Sequence, residues 1–92
     1  MKNIGTINAG GSLTFTVQQY HTYLLQVGLP YNGANFLAII CAQYTDCEIT
    51  VLNNKYNQFT IIANGFDITI SKNTASQYNV GCAIYDITVS RP

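Results

Sequence analysis

Few side chains of this chain could perform catalysis. Its 92 residues include one histidine, three cysteines and four acidic residues. A cysteine nucleophile would need His21 beside it, with a third group to orient the imidazole. The pairs Asp46–Glu48 and Asp67–Asp86 could supply the two carboxylates of a glycosidase, but their positions are typical of solvated strand residues. We therefore predict a non-enzyme with no catalytic residue.

The cysteines do not follow a zinc or redox pattern either. Cys41, Cys47 and Cys82 match neither zinc-ligand spacing nor a CxxC motif. Cys41 and Cys82 lie within apolar runs, where a thiol packs as a small hydrophobe; a Cys41–Cys47 disulfide is the alternative. A calcium site built on Asp46 and loop carbonyls remains open, but the sequence predicts no metal and no cofactor.

The charge pattern excludes several classes of partner. Four basic and four acidic residues give a net charge of zero. The bases are scattered, whereas nucleic-acid binding needs them clustered against phosphates. The longest apolar run, Phe36 to Ala42, is far shorter than a membrane span of about 20 residues. Met1 to Gly11 lacks the apolar stretch of a secretory signal. We expect no nucleic acid, no membrane insertion and no signal peptide.

The composition is typical of a β protein with a neutral polar surface. Ile, Val and Thr number 26 and Phe plus Tyr number 11, and these types favour strands. Asn, Gln, Ser and Thr number 30, so amides and hydroxyls rather than ions supply the polarity. Neutral groups cost less to desolvate than ions. Such a surface favours packing against copies of the chain or against a neutral glycan.

Alternating polar and apolar residues predict the strands. We expect a hairpin at Gln18 to His21, a type I′ hairpin turn at Asn64-Gly65 and a bulge or close backbone approach at Gly81. Phe36 to Gln43 is expected to be the central strand, buried on both faces. Residues 1–11 add an eighth candidate strand, Asn3 to Ala9, and a Gly10-Gly11 turn. The seven other strands are Ser12 to Gln18, Tyr20 to Val27, Phe36 to Gln43, Cys47 to Leu52, Gln58 to Ala63, Phe66 to Ser71 and Tyr78 to Ser90.

Seven to eight short strands separated by turn signals predict an all-β fold in a single domain, residues 1–92. We expect an antiparallel β-sandwich of jelly-roll type, with an open barrel as the alternative. Because consecutive antiparallel strands send their connections to alternate ends, the loops divide into two groups. One end receives Gly28 to Asn35, Asn53 to Asn57 and Lys72 to Asn79. The other receives Gln18 to His21, Tyr44 to Asp46 and Asn64-Gly65, and both termini.

The first group of loops is the predicted binding face. Tyrosine rings offer flat surfaces to sugar C–H groups, and amides bind hydroxyls. The alternative is that Asn and Gly only form turns and that Tyr covers the core. The candidate ligand-binding residues are Tyr31, Asn32, Asn35, Asn54, Lys55, Tyr56, Gln77 and Tyr78.

Five segments together resemble the small C-terminal β-sandwich domains of bacteriophage tail-fibre and head-fibre proteins. They are Gly-Ser-Leu-Thr-Phe-Thr-Val (Gly11 to Val17), Tyr-Leu-Leu-Gln-Val (Tyr23 to Val27), Ile-Thr-Val-Leu-Asn (Ile49 to Asn53), Phe-Asp-Ile-Thr-Ile-Ser (Phe66 to Ser71) and Ala-Ile-Tyr-Asp-Ile (Ala83 to Ile87). The resemblance covers nearly the whole chain but contains no catalytic or ligand motif. It implies a homotrimer that acts as a receptor-binding or virion-surface tip.

Two functions are therefore expected from the sequence. The first is a non-catalytic, homotrimeric domain of a virion surface or fibre tip that binds a receptor on the host cell, either a glycan or a protein. The alternative is a structural capsid-decoration or fibre-assembly protein whose role is self-association. Both place the chain on the virion surface after synthesis in the host cytoplasm.

Overall fold

The computed structural model describes residues 1–8, 10–28, 35–73 and 79–89, and all eight expected strands are present in these ranges. The all-β prediction is confirmed: the described residues form no α-helix, only a single 3-10 turn at Lys55–Asn57. No helix in these ranges is long and apolar enough to cross a membrane. The strands are β1 (Lys2–Ile7), β2 (Ser12–Thr16), β3 (Thr22–Val27), β4 (Phe36–Ala42), β5 (Cys47–Asn54), β6 (Phe59–Asn64), β7 (Asp67–Lys72) and β8 (Val80–Asp86).

The strands form two antiparallel sheets. The larger sheet has the order β1-β8-β3-β4-β5, and the smaller sheet has the order β2-β7-β6. The first three strands alternate between the sheets, as in a jelly roll, whereas β3, β4 and β5 form a meander. β1 contacts β2 and β5 contacts β6, so the two sheets approach each other along both sides of the sandwich.

The core lies between the sheets and follows the alternation in the sequence. Leu25 and Val27 of β3 are fully buried, as are Ile68 and Ile70 of β7, because successive side chains of a strand point to opposite faces. Across the core, the rings of Phe36 and Phe59 pack edge to face, with centroids 5.8 Å apart. The remaining buried apolar residues are Ile7, Val17, Tyr23, Ala38, Ile40, Ala42, Val80, Cys82 and Ile84.

The prediction that the apolar strand β4 is the central strand is wrong. β3 is the middle strand of the larger sheet, and β4 lies between β3 and the edge strand β5. Only one face of β4 is fully buried: Phe36 and Ala38 face the core, whereas Leu37 and Ile39 on the other face are half-buried. The continuous apolar run therefore reflects a strand whose outward side chains are also apolar.

Two turns differ from their predicted form. Gln18 to His21 does not make a hairpin, because β2 and β3 belong to different sheets. The hairpin between β6 and β7 is present, but Asn64 pairs with Asp67, so the two loop residues are Gly65 and Phe66. Of these only Gly65 has a positive φ, 61°, which is the pattern of a type II′ turn rather than type I′.

The irregularities of the larger sheet lie at its edges. On β1, Asn3 pairs with Ala83 and Gly5 with Cys82, so Ile4 is an extra residue that forms a bulge. The bulge expected at Gly81 is therefore on the partner strand. A second register shift leaves Leu52 as the extra residue of β5, and both Leu52 and the neighbouring Val51 are exposed.

The division of the loops between two ends is confirmed. Val27, Phe36 and Asn54, which border two of the long loops, lie side by side at one end of the larger sheet. We call this the loop end. At the opposite end, the turn end, the backbone N–H of Tyr20 donates to Ala42 O at 2.7 Å and that of Val17 to Phe66 O at 2.9 Å. β1 begins and β8 finishes at the turn end, as predicted.

Candidate functional site

Some of the described candidate residues at the loop end lie close to one another. The backbone N–H of Lys55 donates to Asn35 O at 3.3 Å, so the loop after β5 contacts the residue that precedes β4. Asn35 is half-buried, whereas Lys55 and Tyr56 are exposed. Tyr31, Asn32, Gln77 and Tyr78 lie outside the described residues.

Tyr56 is the most exposed large hydrophobic side chain among the described residues of the loop end. It is 76% exposed, and its backbone has a φ of 58°, in the left-handed region. Asn57 follows at 54°. A non-glycine residue in this region is costly, and Asn tolerates it better than Tyr. The ammonium of Lys55 lies 5.2 Å from the centroid of the Tyr56 ring, within the range of a cation–π contact.

Asn54 supports this loop from beneath rather than facing solvent. Its Nδ2 donates to Phe59 O at 2.8 Å, and its Oδ1 accepts from the backbone N–H of Phe59 at 3.2 Å. The side-chain amide thus imitates the paired hydrogen bonds of an antiparallel strand where the chain turns from one sheet into the other. Its position gives Asn54 a structural role at the base of the loop.

A second amide joins the same loop to the smaller sheet. Asn73 Nδ2 donates to Asn57 O at 3.1 Å, Asn73 Oδ1 accepts from the Thr60 hydroxyl at 2.7 Å, and the backbone N–H of Asn73 donates to Gln58 O at 2.6 Å. The Lys55–Asn57 turn is therefore held at both of its ends. Lys72, which the sequence placed in the loop group, is instead the last residue of β7 and only 5% exposed.

The turn end also presents tyrosines, which the sequence analysis did not select. Tyr20 is 61% and Tyr44 72% exposed, and Tyr20 has a φ of 68°. Gln19 Nε2 donates to Tyr44 O at 2.7 Å, which joins the two turns that carry these rings. Counting tyrosines per loop favoured the loop end, but exposed rings occur at both ends.

His21 and Asp86 form a pair that the sequence analysis missed. Nδ1 of His21 lies 2.7 Å from Oδ2 of Asp86, while Oδ1 of Asp86 accepts from the backbone N–H and the hydroxyl of Thr88. The Thr88 hydrogen bonds, and then that of His21, lower the pKa of Asp86 to about 2. In the described ranges, no hydroxyl or thiol is hydrogen-bonded to the His21 ring, so the pair has no partner that could act as a nucleophile.

The fold separates two pairs that the sequence analysis disfavoured, the carboxylates Asp67 and Asp86 and the thiols Cys41 and Cys47. Asp67 accepts a hydrogen bond from the Thr16 hydroxyl at 2.7 Å in the smaller sheet, whereas Asp86 pairs with His21 in the larger one. Cys41 pairs with Glu48 and Cys47 with Ala42, and Ala42 faces the core, so the two thiols leave opposite faces of the sheet. They are free thiols. Among the described residues, no cluster of three His, Cys, Asp or Glu side chains could hold a metal.

The outer face of the larger sheet carries an apolar patch. Leu24 of β3 pairs with Ile39 of β4, and Cys41 and Leu37 occupy the outward positions on either side of Ile39. These four residues, which we call the outer stripe, are each half-buried and uncharged. They shield one another because neighbouring side chains on a sheet face stand about 5 Å apart.

Comparisons with known proteins give no relative. No protein-family model matches the chain, no curated protein matches it, and no solved structure matches it.

Proposed function

We propose that this chain is a non-catalytic, homo-oligomeric domain of a virion surface or fibre tip, and that its loop end binds a receptor on the host cell. The receptor surface is neutral and rich in hydroxyls, as in a glycan, because the chain carries no net charge and its polar surface consists of amides and hydroxyls. The resemblance of its strand pattern to phage-fibre domains supports the same assignment.

The backbone conformation of Tyr56 carries the proposal. A left-handed φ costs a non-glycine residue of order 1–3 kcal/mol, and the exposed ring buries nothing in the core to offset that cost. Glycine or asparagine would form the same turn with less strain. A contact outside the domain gives this tyrosine a role that the fold does not.

The test removes the ring and keeps the turn. Tyr56→Asn should leave the free energy of unfolding unchanged or raise it, and should abolish adhesion to host cells and binding to immobilised neutral glycans. Tyr20→Asn is the matched control, since Tyr20 is 61% exposed at the opposite end and has a left-handed φ of 68°, and it should bind normally. Normal binding by Tyr56→Asn, or loss of binding only in Tyr20→Asn, would remove the loop end from consideration.

The outer stripe favours a second candidate function, self-association in a virion. Leu24, Ile39 and Leu37 form an apolar strip without charge on a sheet that no other element of the described chain covers. A second copy fits this surface, because the four side chains of the stripe carry no charge that would repel those of a copy and gain apolar burial on contact. In this role the outer stripe, not the loop end, is the surface that performs the function.

Solution mass tests the self-association that both functions include, and adhesion of the Tyr56→Asn variant separates them. Light scattering across a dilution series should give a stable mass of three chains. Ile39→Lys should reduce it to one, whereas Ile62→Lys, at a 58% exposed position of the smaller sheet, should not. On β3 the residue to change is Leu24, since Leu25 is fully buried in the core. A single-chain mass at every concentration contradicts self-association.

A further inference from the structure

We propose that a groove on the outer face of β8 and β1 binds the ring of a neutral saccharide. The groove has a volume of about 410 Å³, near the lower end of the ~300–1,000 Å³ typical of small-molecule sites. It is separate from Tyr56, and the inference does not rest on the proposal for the loop end.

Small side chains on β8 create the groove. Val80, Cys82 and Ile84 point into the core, so the outward positions are Gly81, Ala83 and Tyr85. A Cβ added at Gly81 would meet no atom within 4 Å, and the φ of Gly81 is not in the left-handed region. The absence of a side chain here is therefore not required by the backbone or by packing; it leaves space above the strand.

Two amides stand on either side of this space. Asn3 of β1 and Gln26 of β3 are both register partners of Ala83, one from each neighbouring strand. Adjacent strands are about 4.8 Å apart, so the backbones that carry these two amides are about 10 Å apart. Between their side chains lies only the methyl group of Ala83. A third amide, Asn79, lies at the end of the groove nearest the loop end.

These amides are available to a ligand. Within the described ranges, the side chains of Asn3, Gln26 and Asn79 and the hydroxyl of Tyr85 have no intramolecular hydrogen-bond partner. The amides of Asn54 and Asn73, by contrast, are bound to backbone groups. An amide both donates and accepts, which is what a sugar hydroxyl requires.

The remaining lining defines the class of ligand. No Asp, Glu, Lys or Arg lines the groove, so no side chain there offers a counter-charge to an anion or a cation. The aromatic ring of Tyr85 gives an apolar face of the kind that packs against sugar C–H groups. Neutral amides, the aromatic ring of Tyr85 and the open space above Gly81 together suit an uncharged polyhydroxylated ring.

The test fills the groove. Backbone amide resonances of the whole chain are followed by NMR during titration with the methyl glycosides of glucose, galactose, mannose and N-acetylglucosamine, and with glucuronate as a charged comparison. We expect saturable shifts at Gln26, Ala83 and Tyr85 with at least one neutral glycoside and none with glucuronate. Gly81→Leu should weaken that binding at least about tenfold, while Ser12→Leu on the smaller sheet should not change it.

A second variant separates a loss of binding from a folding defect of Gly81→Leu. Gln26→Leu keeps the size of the side chain and removes its amide, and it should also weaken binding about tenfold. The proposal is overturned if no neutral glycoside gives saturable shifts, or if binding survives both Gly81→Leu and Gln26→Leu. It is also overturned if the shifts centre on residues 55–57 and are lost in Tyr56→Asn, a result that would support the loop end instead.

Discussion

His21 and Asp86 join the start of β3 to the end of β8, with Nδ1 of the imidazole 2.7 Å from Oδ2 of the carboxylate. Thr88 extends the connection, because it donates to the other oxygen of Asp86 and its hydroxyl accepts from the backbone N–H of Thr22 at 2.9 Å. The contact closes the turn end between two neighbouring strands that are far apart in sequence.

Asp86 should make the stability of the chain depend on acid pH. Its folded-state pKa of about 2 lies below the usual 3.8 because of the Thr88 and His21 hydrogen bonds. The ionised carboxylate therefore stabilises the folded chain above about pH 4, and this contribution is lost as the pH falls through 2. Urea unfolding between about pH 2 and about pH 6 should show a smaller acid loss in Asp86→Asn than in the parent chain.

The control for this titration is Asp46→Asn, which changes an exposed carboxylate in the turn between β4 and β5. It should retain the acid dependence of the parent. An unchanged acid dependence in Asp86→Asn would show that other groups control it.

Glycine should be required at Gly5, because of its backbone conformation and the nearby side chain of Leu13, but not at Gly81. Its φ is 135°, and an added Cβ would lie 3.1 Å from Cδ1 of Leu13. Gly5→Ala should lower the free energy of unfolding by about 1–3 kcal/mol. Gly81→Ala, where the space is open, should raise it by about 0.4–1 kcal/mol. Equal effects of the two substitutions in chemical denaturation would contradict the bulge at Ile4.

Asn54 should contribute to stability and its neighbour Asn53 should not. Asn54→Ala leaves the backbone N–H and C=O of Phe59 without their partners, which should cost about 1–3 kcal/mol. Asn53 is exposed, so Asn53→Ala should change the free energy of unfolding by less than about 0.5 kcal/mol. A loss in receptor or glycan binding by Asn54→Ala at full stability would instead assign Asn54 to the ligand.

The three thiols should differ in reactivity. Cys82 is 2% exposed, and burial raises its pKa to about 11, so little thiolate is present near neutral pH. Alkylation followed by mass spectrometry should modify Cys41 and Cys47 in the folded chain, and Cys82 only after denaturant is added. Under mild oxidation no Cys41–Cys47 disulfide should form, since their side chains leave opposite faces; its appearance would contradict the register of β4 and β5.

Much of the candidate loop end could be inferred from the sequence because it depends on local rules. Alternation along each strand identified the residues that face the core, and the number of strands between two loops decided which end each loop joins. The same rules could not assign roles to individual side chains. Asn54 and Tyr56 are two residues apart in the same polar segment, yet one is bound to Phe59 and the other points outward with a strained backbone.

The strand positions, the residues that face the core and the division of the loops follow from the sequence, because a period of two residues and short connections are local properties. Other features depend on how the sheets pack: β2 and β3 belong to different sheets, Asn3 and Gln26 stand on either side of Ala83, and His21 contacts Asp86. These are pairings between distant segments. They are selected when two sheets pack their apolar faces together, and the residue pattern within one strand does not specify which strand lies beside it.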